Sequence, residues 1–195
     1  MQTFDTPRLL LRPVRATDLA DLFRIYGDPE TQRFNPSGPY PSREHAREVL
    51  HRWLSHWQTE GFGHWAISLK SEADRLVGFG GLALRDFAGQ RIVNLGYRLE
   101  TGVWGQGIAT EFANASLDAG FSHGMARIWA TVRDNHLASQ KVLLKAGMVM
   151  IAQVHDIPGA APSLLFQKTR QAWLNSAGQA GARFRNQAAS GPADG

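Results

Sequence analysis

A strand-like run ending at Leu99 and a helix-like run beginning at Ile108 are joined through Trp104, Gly105, Gln106 and Gly107. Two glycines one residue apart permit a tight turn and leave the backbone amides uncovered by side chains. Ile108, Phe112, Ala115 and Ala119 then recur at helical spacing. A strand feeding a helix through such a turn leaves the first helical amides without internal partners, at the positive end of the helix dipole. The junction implies an α/β (α+β) chain with a seat for an anion such as a pyrophosphate.

Neighbouring residues separate the kinds of anion seat. A P-loop places Lys and Ser/Thr directly after its last glycine, whereas Ile108 and Ala109 follow Gly107. A dinucleotide fingerprint needs a third Gly or Ala and an acidic residue about 20 positions on. Thr110 occupies that third position, and the region near Ile128 is apolar. Gly107 and Ala109 fit instead the acyl-coenzyme-A loop of the GNAT N-acetyltransferases: Gln/Arg, two residues, Gly, one residue, Gly/Ala. Trp104 in the first position departs from that pattern, and the Trp-Gly-Gln-Gly start resembles the RimJ/RimL-like (ribosomal-protein N-terminal acetyltransferase-like) branch.

The resemblance extends from about Thr6 to Trp173. The opening Thr6, Pro7, Arg8, Leu9, Leu10, Leu11, Arg12 is similar to that branch's first strand. Asp134 to Met148 resembles its second coenzyme-A motif, with Ser139, Lys145, Gly147 and Met148 in register. His136 stands where an asparagine is expected, and Asn135 comes one residue early. Gln171, Ala172 and Trp173 match the usual chain end.

That likeness implies a GNAT fold: a mostly antiparallel mixed twisted sheet of about six to seven strands, helices on both faces, and a splayed central strand pair holding acyl-CoA. Acetyl-CoA would be the cosubstrate, with no metal. Gln106, Gly107, Ile108, Ala109 and Thr110 would hold its pyrophosphate. Tyr97, Arg98 and Leu99 would take the pantetheine arm and the thioester carbonyl, joined by Asn135, Ser139 and Lys145. Leu143 fills the place of the tyrosine that often protonates the departing thiolate, which makes Ser139 the substitute, or else only a first-turn helix residue. Asn94 replaces the glutamate that serves many relatives as base. Glu100, Asp134, His136 and Asp156 remain, with Glu100 and Asp134 as the catalytic candidates and solvated charge as the alternative. Water is a further proton acceptor, because an N-terminal amine ordinarily titrates at about 7.7 to 8.0.

Local patterning supplies the other elements. Thr17 is placed to cap a helix carrying Leu19, Leu22, Phe23 and Tyr26. Asp28 to Pro41 reads as a loop with exposed Phe34 and Tyr40. Ser42 caps a second helix with an Ala46, Val49, Leu50, Trp53, Trp57 stripe, and His45, His51 and His56 on it read as solvated. His64 to Leu69 and Leu76 to Leu84 form a hairpin across a Lys70 to Arg75 turn. Gly96 within Ile92 to Leu99 marks a bulge, a close backbone approach or a packing glycine. Asp134 or Asn135 caps a helix that Gly147 ends, and two strands close the domain. The expected domain is 1–174, followed by an Ala, Gly, Gln and Ser-rich flexible tail over 175–195.

Cysteine is absent, which excludes disulfides, thiolate metal sites and a cysteine acyl-enzyme. Three of the four net positive charges lie after Leu165, so the rest is nearly neutral and offers no basic face for nucleic acid. The first residues include Asp5, Pro7 and Arg8 rather than a signal-like apolar run, and no membrane-length apolar stretch occurs. A cytoplasmic monomer or homodimer without membrane partner is expected. Its function would be acetyl transfer to a primary amine, most directly a protein or peptide N-terminus, by direct attack in a ternary complex. A polyamine or amino-sugar acetyltransferase, a non-catalytic acyl-CoA sensor and a nucleotide-binding domain are the rivals.

Overall fold

Alternating apolar residues and glycine-marked turns build a single open sheet in the computed structural model, which describes residues 3–87 and 89–176. Its strands are β1 (Phe4–Asp5), β2 (Leu9–Pro13), β3 (His64–Leu69), β4 (Glu72–Phe87), β5 (Gln90–Leu99), β6 (Arg127–Arg133), β7 (Val149–Val154) and β8 (Ser163–Thr169). The helices are α1 (Leu19–Tyr26), α2 (Arg43–Glu60), α3 (Ile108–Ser122) and α4 (Leu137–Lys145), with a further helical turn over 170–176. The expected tail falls, from 177 on, outside the described residues; Asn175 and Ser176 continue that last turn.

The strand order is β1-β2-β3-β4-β5-β6-β8-β7, one strand more than the upper expectation because of the two-residue β1. Every neighbouring pair is antiparallel except β5 and β6, which are parallel and bridged at one residue pair, Asn94 with Trp129. Beyond that bridge the two strands part. Their carboxyl ends lead into the N-termini of α3 and α4, the position where open sheets bind ligands.

Several local expectations change. Thr17 does not cap α1; Asp18 takes the Arg15 amide at 2.7 Å and a two-pronged grip from Arg12, which buries its carboxylate. Ser42 does cap α2, accepting the His45 amide, and Gly61 ends it at φ 73°. His56 is not merely solvated. Its Nδ1 meets Phe62 O at 2.8 Å while Nε2 accepts the Leu84 amide, so one neutral tautomer ties α2 to β4. The turn before β4 is only Lys70 and Ser71, because the polar residues from Glu72 on remain paired with β3 through irregular register. Gly96 lies in an unbroken β4/β5 register opposite Gly81, so it marks no bulge there; the register shifts occur at Ile67 to Leu69 instead.

One core cluster lies under α3 and α4, with Trp65, Leu82, Phe112, Phe121 and Phe166 fully enclosed. A side chain at Gly80 would stand 2.7 Å from the Phe112 ring, so this glycine is what lets α3 approach the sheet. A second cluster, including Leu22, Ile25, Leu50 and Phe79, lies under α1 and α2. Each buried large apolar side chain contributes roughly 1.5–3 kcal/mol relative to leaving it exposed. Among the described residues no helix is long and apolar enough to cross a membrane.

Candidate active site

The site begins at the parting of β5 and β6. Glu100 N–H donates to Val77 O at 2.8 Å, so by ladder alternation Arg98 and Gly96 turn their backbone groups toward β4. Tyr97 and Leu99 turn theirs into the splay. Trp104 closes one end: its indole N–H donates to Leu99 O at 2.9 Å, although the ring is half-exposed. The splay therefore offers an extended molecule a strand edge already held straight by β4.

At the end of β5 the chain enters the glycine turn. Gly105 and Gly107 have φ 73° and 78°, and a side chain at Gly105 would meet nothing within 4 Å. Gly107 is the N-cap of α3 and no side chain caps the helix; Glu111 N–H makes the first helical bond, to Gly107 O. The amides of Ile108, Ala109 and Thr110 precede that bond, while the Ile108 side chain is buried in the core. Gln106 turns its own side chain back onto Gly102 O at 2.9 Å. The turn leaves the amides that begin α3 open as a cradle, and a Cβ added at Gly105 or Gly107 would begin to fill the space beside them.

A brace behind the cradle was not anticipated. Arg8 Nη1 donates to Gln106 O at 2.7 Å, and its Nε donates to Glu111 at 2.6 Å. Glu111 also accepts from the Thr6 hydroxyl at 2.6 Å and from the Arg8 amide at 2.8 Å. Burial alone would raise the Glu111 carboxyl, but these Thr6 and Arg8 hydrogen bonds outweigh it and hold it below the usual range. The Thr-Pro-Arg-Leu opening thus fixes the Gln106 peptide with its carbonyl turned back toward Arg8. Its only sequence signal was the motif itself, since the partners lie about a hundred positions apart.

Ser139, in the first turn of α4, lies across the splay from β5, with its Oγ 3.1 Å from the Tyr97 hydroxyl. Tyr97 also packs edge-on against Phe112, 6.0 Å between ring centres. Burial pushes the phenol up to about 12, with the Ser139 hydrogen bond working the other way. Leu143, in the place of the usual tyrosine, is a core residue. Tyr97 is therefore the phenol that this chain brings to Ser139.

Glu100, Asp156 and His136 have other engagements, and Asp134 is held through its backbone alone. Glu100 is buried and faces two guanidiniums, Arg24 at 2.7 Å and Arg75 at 2.7 Å, so its oxygens are occupied. Burial would raise Asp156, but Ser163 and Arg133 outweigh it and hold that carboxyl low. Asp134 is fixed by its backbone, its amide to Pro162 O at 2.9 Å and its carbonyl to Gln140. His136, rather than Asp134 or Asn135, is the N-cap position of α4, and it gives no side-chain cap. Its ring stacks on Phe34 at 4.0 Å and 14°, so Phe34 is not the exposed aromatic expected; Tyr40 likewise packs on Tyr26. Burial, with the Arg98 charge nearby, lowers His136 to about 4 and keeps it neutral at pH 7. Asn94, at the bridge, has a buried Oδ1 without a partner.

Other predicted residues separate. Arg98 is engaged by Thr31 O and by the Tyr26 ring, 5.2 Å away. Lys145 is exposed in the last turn of α4, about 12 Å along the axis from the helix start, where its charge complements the dipole. Asn135 is exposed and lines a cleft of about 370 Å³, bounded also by residues 33–36, Arg133 and residues 157–161. Asn135 precedes Ser139 by four residues, so the cleft borders the start of α4. Among the described residues no group of three or more His, Cys, Asp or Glu is placed to hold a metal ion.

Residues 8–149 match the family described as Acetyltransferase (GNAT) domain. The chain is 29% identical over 144 residues to the uncharacterized N-acetyltransferase p20 of Bacillus licheniformis, covering 73% of this chain and 80% of that one. In shape it is similar to the ribosomal-protein-S5-alanine acetyltransferase of Vibrio fischeri, with TM-score 0.70, 19% identity and coverage of 89% and 99%. It is similarly close to spermidine N-acetyltransferase of Vibrio cholerae, solved with CoA and spermine, with TM-score 0.72, 15% identity and coverage of 87% and 99%.

Proposed function

The chain belongs to the GNAT acetyltransferases, and within that activity we propose that its acceptor is the N-terminal amine of a protein or peptide. The reading includes membership of the RimJ/RimL-like branch, a cytoplasmic location and a monomer or homodimer. The carrying observation is the cleft bordering the start of α4, the helix of Ser139, whose described lining contains no Asp or Glu. A polyamine carries several positive charges and needs carboxylates to gather them; a peptide N-terminus carries one and sheds it near neutral pH.

The site fits acetyl-CoA, which supplies an acyl group activated as a thioester. Gly107 through Thr110 would present amides to its pyrophosphate, and the Tyr97 backbone with the Leu99 amide would hold the extended arm. The phenol is the stronger acid of the hydroxyl pair. The two hydroxyls lie 3.1 Å apart, and with the more acidic phenol as donor the serine proton is left for the reacting centre. With Glu100 and Asp156 held by guanidiniums and His136 a weak base, the amine loses its proton to water, the Asp134 carboxylate being the one carboxylate candidate among the described residues that no ion pair holds. Asn94 Oδ1 is left to accept a hydrogen bond and orient the acceptor.

The brace gives a first prediction. Arg8→Ala is expected to raise the acetyl-CoA dissociation constant about tenfold, since a hydrogen bond to a charged group is worth roughly 1.5–3 kcal/mol. Calorimetric titration of the folded variant checks it, and unchanged affinity would detach Arg8 from the loop. Acceptor class is tested by acetyl-CoA turnover on peptides with free N-termini, spermidine and an amino sugar. Peptides should exceed spermidine by at least about tenfold in kcat/KM, the acetyl group on the α-amine. Faster spermidine turnover would overturn the peptide reading; acetyl-CoA binding without turnover of any amine would favour the sensor.

A further inference from the structure

The cleft bordering the start of α4 carries two charged side chains on its lining, Arg33 and Arg133. Arg133 is neutralised, with Nη1 donating to Asp156 Oδ1 at 2.7 Å and to Ala161 O at 2.9 Å. Arg85 adds a second positive charge near Asp156 at 3.7 Å. Arg33 differs. It stands exposed on the rim, and among the described residues no carboxylate pairs with it.

The Arg33 guanidinium is nevertheless positioned. Its Cζ lies 5.6 Å from the centre of the Phe34 ring, and Phe34 stacks on His136 at 4.0 Å. His136 begins α4, three residues before Ser139. A row of guanidinium, phenyl and imidazole therefore links the rim to the helix that carries the reacting hydroxyl. Arg33 Cζ and the imidazole thus lie within about 10 Å of one another, inside the reach of three extended residues. His136 is neutral and the Arg98 charge lies near it, so Arg33 adds a positive charge at the rim to the one already behind the imidazole.

Building on the peptide-acceptor reading, we infer that Arg33 selects N-terminal segments bearing Asp or Glu at the second or third residue. The first residue presents its amine toward the Tyr97 and Ser139 hydroxyls, and the side-chain carboxylate of a following residue pairs with the guanidinium. Polyamines and lysine-rich N-termini are repelled by the same charge. A planar fork that can grip a carboxylate by two N–H groups suits this role better than a lysine would.

The test uses peptides identical except for Asp, Asn or Lys at residues two and three, with free glutamate as a small acceptor. Each is assayed with the full-length protein, Arg33→Ala and Arg33→Glu. Arg33 is exposed and its side chain is in no ion pair, so both variants are expected to fold. The unmodified protein should prefer Asp over Asn about two- to fivefold in kcat/KM, mainly through KM, as an exposed pair allows. Arg33→Ala should erase that preference, Arg33→Glu should reverse it toward Lys, and the Asn peptide should change less than about twofold throughout. An Asp-to-Lys ratio that is the same in all three proteins overturns the inference while leaving peptide acetylation intact. Turnover of free glutamate matching the Asp peptide would assign the carboxylate to a small amino acid and overturn the peptide form. No turnover of any peptide removes the acceptor reading, and this inference with it.

Discussion

Ser139→Ala is expected to lower kcat about 10²-fold while changing the acetyl-CoA dissociation constant by less than about threefold, as loss of one donor to a developing anion does. The reason lies in the Tyr97 and Ser139 pair, 3.1 Å apart at the splay. A phenol at about 12 faces an ordinary thiol near 8.5, so complete transfer from Tyr97 would be uphill by on the order of 5 kcal/mol. The pair consequently acts by hydrogen bonding to the departing sulfur, and the proton that finally neutralises it originates on the amine. Tyr97→Phe keeps the packing on Phe112 and removes only the hydroxyl; it should lower kcat roughly 10-fold. The double variant should be little worse than Ser139→Ala, because the two hydroxyls act as a unit. Presteady-state rates of thiol release check all three. Full kcat in Ser139→Ala would reduce the serine to a residue that satisfies the first turn of α4.

The second large effect is on binding. Gly107→Glu should weaken acetyl-CoA by at least about 10²-fold, several contributions acting together. Gly107 sits at φ 78°, where a side chain costs roughly 1–2 kcal/mol. Its Cβ would lie 3.4 Å from Arg8 Nη2, and the new carboxylate would stand over the uncapped amides of α3. An anion built into the chain would then occupy or repel the place of the pyrophosphate. Gly107→Ala brings the strain without the charge and should lose much less, about tenfold or under. Calorimetry on both variants, with melting curves to verify folding, separates the two contributions. Wild-type affinity in a folded Gly107→Glu protein would take the loop out of the site.

What the sequence disclosed and what it concealed divide by distance along the chain. The glycine turn was legible because left-handed torsions at Gly105 and Gly107 require that residue type. The Ser42 cap and the Gly147 helix end were legible for the same local reason. The unusual β5 and β6 relation was available only through family likeness, since nothing in either strand's alternation says that pairing stops after Asn94 and Trp129. Pairings between distant side chains were hidden. Arg8 with Glu111, Tyr97 with Ser139, Phe34 with His136, and Glu100 between Arg24 and Arg75 each join segments that local periodicity treats independently. Two of these changed a role: Glu100 moved from candidate base to ion-pair centre, and Tyr97 from backbone donor to hydroxyl partner. Gly96 misled in the opposite way. A glycine in a strand suggests a bulge, yet a side chain there would meet only Asn94 Nδ2 at 3.7 Å, and the ladder runs through it unbroken.

In the function proposed above, the glycine cradle at α3 and the splay between β5 and β6 together hold acetyl-CoA. Calorimetric titration of the unmodified protein with acetyl-CoA, desulfo-CoA, ATP and NAD tests it most directly. The predicted result is binding of both coenzyme-A compounds with similar affinity, because the pyrophosphate cradle and strand edge act on parts they share, and no comparable heat with ATP or NAD. Binding of ATP or NAD with none for either coenzyme-A compound would contradict the account and leave Gly105 to Thr110 as a general nucleotide seat.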